Sequence, residues 1–168
     1  MNNFTEQDPY SLSGNIFEQL HHQTMLITAG TTHHFNTMTA SWGGFGIMWN
    51  KPVAFIMVRP QRYTREFIDA NNHFTLSFFE KEYREALHLC GKISGRDENK
   101  IEQAGLVPLT LNSGAVAFEQ AELIFDCRKV YAQSLMKEGF IESSLLSNYP
   151  ADDFHIQYIG IIEKVFVK

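Results

Sequence analysis

What most limits the fold of this chain is that its strand-like runs do not alternate with helices. Residues 24–29, 53–58, 73–79, 121–128 and 154–167 are apolar stretches rich in β-branched and aromatic residues, bounded by polar residues, Gly or Pro, and each is predicted to be a strand. Residues 16–20 predict a short helix, and a polar, Gly-containing turn before Thr37 predicts a hairpin. Other helical signals are few. Thr64 is placed to cap a helix carrying Phe67 and Ile68, and Tyr83, Ala86, Leu87 and Cys90 recur at helical spacing up to Gly91, the expected end. Asp97 is placed to cap residues 98–104, which Gly105 closes and Pro108 keeps from continuing. A doubly wound parallel sheet needs a helix after nearly every strand, and no Gly-x-Gly-x-x-Gly turn follows a strand here. The predicted class is therefore mainly β, a β-barrel with peripheral helices.

With 168 residues, 44% of them hydrophobic, and no repeat or linker-like tract, the expected organisation is one domain over residues 1–168. A net charge of -5 argues against a general nucleic-acid or anionic-membrane surface, since both need a broad basic face. The N-terminal stretch lacks a basic segment followed by an apolar run, and no segment approaches membrane-spanning length. Cys90 and Cys127 are far apart and lack metal-spaced partners, which fits buried thiols in a reduced, cytoplasmic chain. The seven histidines form no zinc pattern, and no Gly-x-Ser-x-Gly elbow is present.

Three segments carry candidate chemistry. In residues 36–44, strand alternation puts Thr37, Thr39 and Ser41 on one face and Met38, Ala40 and Trp42 on the other. Small hydroxyl residues there let a planar ligand approach the backbone; the alternative is a half-buried strand with hydroxyls in water. Trp42 and Trp49 are aromatic neighbours for such a ligand or, more simply, core residues. Next come Arg59, Arg62, Tyr63, Thr64 and Arg65, where a strand gives way to a helix. A helix N-terminus, a hydroxyl and guanidinium groups suit a phosphate; equally, Thr64 is a plain cap and the arginines are solvated. The third segment, with Lys92, Ser94, Gly95, Arg96 and Lys100, extends that anion site or is a solvated charged loop. His155, near the last strand, approaches a ligand or is satisfied by neighbouring backbone.

Taken in order, residues 36–44, 49–55, 58–64, 74–79, Cys90-Gly91 with Ser94-Gly95-Arg96-Asp97, 131–133 and 155–160 resemble the flavin reductase-like, FMN-binding split-barrel family across most of the chain. That resemblance implies an antiparallel Greek-key split barrel, a homodimer, and FMN held near the subunit interface. It further implies that Met38, Thr39, Ala40 and Ser41 line the flavin, that Arg59, Arg62, Tyr63 and Thr64 hold the ribityl phosphate, and that Lys92, Ser94, Arg96 and Lys100 complete the site. Many relatives place an acid directly after the last glycine; this chain has Ile161. The implied activity is hydride transfer from NADH or NADPH to FMN. The alternative is a flavoredoxin-like electron carrier reduced by a redox partner protein. Neither requires an acid-base dyad, and no catalytic residue is assigned.

Overall fold

A computed structural model describes residues 3–168. Ten strands occur among them: β1 (Thr5–Gln7), β2 (Met25–Thr31), β3 (His34–Ala40), β4 (Gly43–Met48), β5 (Lys51–Val58), β6 (His73–Phe78), β7 (Pro108–Thr110), β8 (Val116–Phe118), β9 (Leu123–Ser134) and β10 (Ile156–Val167). The helices are α1 (Ile16–Glu18), α2 (Thr64–Ala70), α3 (Arg84–Lys92) and α4 (Lys100–Gln103), with short 3-10 turns and a π-helical turn at Gln19–Gln23.

The main sheet runs β3-β2-β6-β9-β10-β5-β4, every pair antiparallel, with β1 beside the far half of β10. Its outer strands, β3 and β4, are joined only by Ser41 and Trp42, a reach of about 10 Å. So short a link between opposite edges forces the sheet to curl until they meet. The Met57 N–H donates to the Trp42 carbonyl at 3.3 Å and fastens this link to β5. The predicted barrel is the observed one.

Alternate residues fill its interior: Met25, Ile27 and Ala29 from β2, Ala54, Ile56 and Val58 from β5, and Phe74, Leu76 and Phe78 from β6 join Met38, Phe125, Tyr158 and Ile162. Leu12 and Ile16 of the N-terminal arm pack on this core from one end. A second core lies outside the sheet. There Leu87 and Cys90 of α3, with Phe79, Leu106 and the β7-β8 hairpin's Phe118, cover Leu26, Ile124 and Phe166. Fully burying a side chain of this size contributes about 1.5–3 kcal/mol, so these faces fix where α3 and the loop after it sit.

Several local expectations are corrected. The run that reads as one strand from Thr37 onward is two, broken at Ser41–Trp42, and residues 49–50 form a tight β4-β5 turn with positive φ at Trp49 and Asn50. Trp49 is therefore exposed rather than in the core. Helix α3 passes through Gly91 and ends at Lys92; the glycine serves close packing rather than a stop, since a Cβ there would lie 3.2 Å from the Thr39 Cβ. Asn99, not Asp97, caps α4 by accepting from the Glu102 N–H. Gly105 does close that helix, with φ +65°. Both cysteines are buried. No helix is long and apolar enough to cross a membrane.

Candidate functional site

Strands β3 and β5 finish at the same end of the barrel, and there the loop from α3 to α4 folds over them. Two adjoining cavities result. The first, about 200 Å³, is lined by residues 38–42 with Met57, Arg59, Arg62 and His155. The second, about 270 Å³, is lined by Asn36, Met38, Arg59, residues 61–64, residues 92–94 and Lys100. Met38, Arg59 and Arg62 belong to both, so the pair forms one elongated site with an aromatic, half-apolar compartment beside a cationic one.

Eleven of the twelve candidate residues line these cavities: Met38, Thr39, Ala40, Ser41, Arg59, Arg62, Tyr63, Thr64, Lys92, Ser94 and Lys100. Arg96 does not. Its guanidinium lies 4.6 Å from the centroid of the Tyr63 ring and pairs with Glu66, which places it behind the wall. Tyr63 in turn meets Phe67 edge to face, so it both packs and lines.

The hydroxyl face of β3 is used differently from either expectation. Thr37 donates to the Ile27 carbonyl at 3.1 Å and accepts from Thr28, fully buried, while Thr39 donates to the Leu87 carbonyl of α3. These hydroxyls therefore tie β3 to β2 and to α3 instead of facing water, leaving Ser41 and the backbone at the strand end to face the cavity. Thr64 is also reassigned. It is the first residue of α2, not its cap; its Oγ1 accepts from Asn36 Nδ2 at 2.9 Å. Asn36 is held in place because Gly95 sits directly against it: a Cβ on Gly95 would lie 2.2 Å from Asn36 Oδ1.

Among its described lining residues the second cavity carries Arg59, Arg62, Lys92 and Lys100 and no carboxylate. Lys100 is the most telling of the four. It is buried, and its Nζ donates to the carbonyls of Cys90 and Ile93 at 3.2 and 3.1 Å, with no carboxylate among its hydrogen-bond partners. Burial pushes its ammonium below the ordinary lysine range, and the nearby Arg62 adds to that effect. An anion in the cavity would relieve both. Arg62 reaches across to the Gly91 carbonyl at 3.0 Å. Arg59, by contrast, is already neutralised: it pairs with Asp153, donates to the Asn148 carbonyl at 2.8 Å, and lies 5.2 Å over the Tyr149 ring.

That arginine anchors the long β9-β10 connection, which delivers His155. The imidazole is buried and its Nδ1 pairs with the Tyr149 hydroxyl at 3.0 Å, not with backbone. Trp42, half-exposed rather than a core residue, stacks at a tilt on it with ring centroids 4.8 Å apart. Burial, then the positive charge of Arg59, holds the imidazole below its usual pKa, so it is neutral at pH 7. Asn36, Met57, Tyr149 and Asp153 join the site without being among the candidates. Nothing in local spacing marks them, because their positions depend on strand pairing and on a loop of about twenty residues.

The flavin reductase like domain model matches residues 17–166. The chain belongs to that family. No curated protein sequence matches it. In solved structures this flavin reductase-like chain is similar to an FMN-binding domain of a flavin reductases-like enzyme from Shewanella baltica, with TM-score 0.71, 17% identity, and coverage of 98% of this chain and 77% of that one. It is also similar to flavoredoxin from Methanosarcina acetivorans, with TM-score 0.68, 20% identity, and coverage of 87% and 68%. A third is the NADH:FAD oxidoreductase of Streptomyces globisporus, with TM-score 0.65, 15% identity, and coverage of 87% and 74%. At these identities the shared feature is the fold, the antiparallel split barrel.

Proposed function

We propose that this flavin reductase-like domain binds FMN in the elongated site and transfers hydride from NADH or NADPH to it. The observation that carries this reading is the junction of an aromatic-walled compartment with one lined by four basic side chains, of which Arg62, Lys92 and Lys100 have no carboxylate partner among the described residues, a division that matches a ring system joined to a phosphate ester. Trp42, Met57 and Met38 would flank the ring, and Ser41 with the backbone at the end of β3 would meet its polar rim. Arg62, Lys92 and Lys100 with Ser94 would hold the phosphate, and the uncompensated ammonium of Lys100 fits that role. Bound FMN supplies the two-electron chemistry. The protein orients the ring, excludes water with the Trp42–His155 pair, and keeps His155 uncharged beside it.

The test is to mix protein, FMN and each reduced nicotinamide without oxygen. Rapid loss of flavin colour with at least one of them is expected. If neither bleaches it while FMN binds, the carrier reading takes over: a flavoredoxin-like protein reduced by a partner. One feature favours that alternative. The first cavity, about 200 Å³, lies below the roughly 300 Å³ at which ligand pockets usually begin, which leaves no enclosed space for a nicotinamide beside a flavin ring.

The homodimer belongs to the same proposal. Phe55, Ile159 and Tyr131 stand in one cross-strand row, and Ile161 lies on the same side of β10, opposite the barrel core. Their strands β5, β10 and β9 carry this row on a face that the α3 layer does not cover, next to the exposed Trp42. Ile161 adds to the apolar character of this face. Light scattering on the purified chain should give twice the monomer mass.

A further inference from the structure

We propose that the opposite end of the barrel holds a second binding site, for an uncharged mono- or bicyclic molecule with a single hydrogen-bonding group. A cavity of about 300 Å³ opens there. Its floor is barrel interior, Phe45, Phe125 and Ile162, and its roof is the N-terminal arm, which brings Leu12 and Ile16 across the opening. It shares no lining residue with the two cavities at the other end. Strand β5 contributes to both ends, from Val53 here to Arg59 just beyond its far terminus, so the sites lie about 20 Å apart.

The lining sets the ligand class. None of its residues is ionised at neutral pH, so a charged molecule would be stripped of water with nothing to pair with. Ser13, Gln19 and the Tyr10 hydroxyl are the polar side chains at the arm, and any of them can satisfy one donor or acceptor. Size sets the rest. An apolar cavity of about 150 Å³ accepts benzene, so this one has room for a fused pair of rings or a substituted single ring.

The space is bridged by the arm and left unfilled beneath it. Small barrels normally fill their interiors with side chains, and an unfilled void forfeits dispersion contacts along its walls. Here Phe45, Phe125 and Ile162 leave the end of the interior unfilled, and Gly46 borders the opening only through its backbone, on the outer face of β4. The arm arches over instead of collapsing inward, turning at Gly14 with φ +127°. Mouths of β-barrels are recurrent small-molecule sites for this geometric reason.

The experiment is a titration of the full-length, FMN-saturated protein with indole, a neutral bicycle with one N–H, followed by amide NMR. Saturable one-to-one shifts at Leu12, Gly14 and Gly46 are expected, with affinity falling more than about tenfold in Ser13→Trp, which closes the mouth from an exposed arm position, while FMN affinity and thermal midpoint hold. Should Ser13→Trp fail to fold, Gln19→Trp fills the mouth from the same arm. The proposal is overturned if neither indole nor cyclohexanol shifts those amides saturably. Shifts confined to residues 38–42 would equally overturn it, as would displacement of the same amides by raising protein concentration alone, which would make the cavity a contact between copies.

Discussion

At the end of the barrel where β3 and β5 finish, four cations and a histidine converge on two cavities; where β5 begins, apolar side chains from five separate stretches enclose one. The first end contains buried polar groups that compete for partners: Thr39 takes an α3 carbonyl, Thr64 accepts from Asn36, and Lys100 has carbonyls without a counter-ion. The second offers dispersion and burial. Stability should therefore respond most to changes at the apolar end and ligand affinity to changes at the cationic end, and single substitutions can separate the two.

The largest effect belongs to Phe125→Ala. Its ring is buried and packs on Phe45 with centroids 4.5 Å apart, at the floor of the apolar cavity. Truncation should cost about 3–5 kcal/mol in urea unfolding. FMN affinity of the folded fraction should stay within about threefold of the parent, since the two ends share no lining residue. A large loss of FMN affinity together with the stability loss would mean the ends are one cooperative unit.

Arg62→Ala reverses the pattern. Its visible partner is one exposed carbonyl, so unfolding should change by less than about 1 kcal/mol. FMN binding should weaken by about 1–3 kcal/mol, with riboflavin binding little altered, because the lost contact is to the phosphate. Equal losses for both flavins would move the phosphate elsewhere.

The same contrast explains what the sequence disclosed. Candidate residues at the cationic end come from three short runs, 38–41, 59–64 and 92–100, whose residue types announce hydroxyl and anion chemistry by themselves. Strand positions are legible too, because five apolar runs have strand length and composition. What local pattern does not disclose is which partner each polar group takes. Thr37 and Thr39 look like a solvent- or ligand-facing row until α3 and β2 are packed on them. Trp42 looks like core until the two-residue β3-β4 link turns it out beside His155. The apolar cavity leaves no trace, since Gly46, Leu12, Val53 and Phe125 are ordinary residues far apart in sequence.

A smaller effect tests the reassignment of Arg59. Because Asp153 already neutralises it, Arg59→Ala should weaken FMN binding by less than about threefold, well under the Arg62 variant. Its effect should emerge instead in the β9-β10 connection. Asn148 and Asp153 lose their common anchor, and hydrogen exchange should accelerate across residues 137–153 while the Leu135 N–H, just past β9 and bonded to the His155 carbonyl, is the next amide to follow. A loss as large as that of Arg62→Ala would show that the ion pair opens to receive the phosphate.

The smallest effect is in the pH dependence of stability. His155 is held below the ordinary imidazole value, first by burial and then by the positive charge of Arg59, with Asp153 opposing and Arg62 adding to it. The unfolded chain therefore takes up this proton first as pH falls, and native stability declines from about pH 6.5 down to the lowered native value. Above that window the neutral ring contributes fully; below it both states are protonated and the loss is complete. His155→Asn should flatten this part of the curve, so subtracting variant from parent stability gives a step confined to the window. Tyr149→Phe removes the Nδ1 partner but leaves burial and both arginines, so its step should survive. A step that disappears in Tyr149→Phe would mean that the phenol hydroxyl, more than burial, keeps the imidazole neutral beside the cavity.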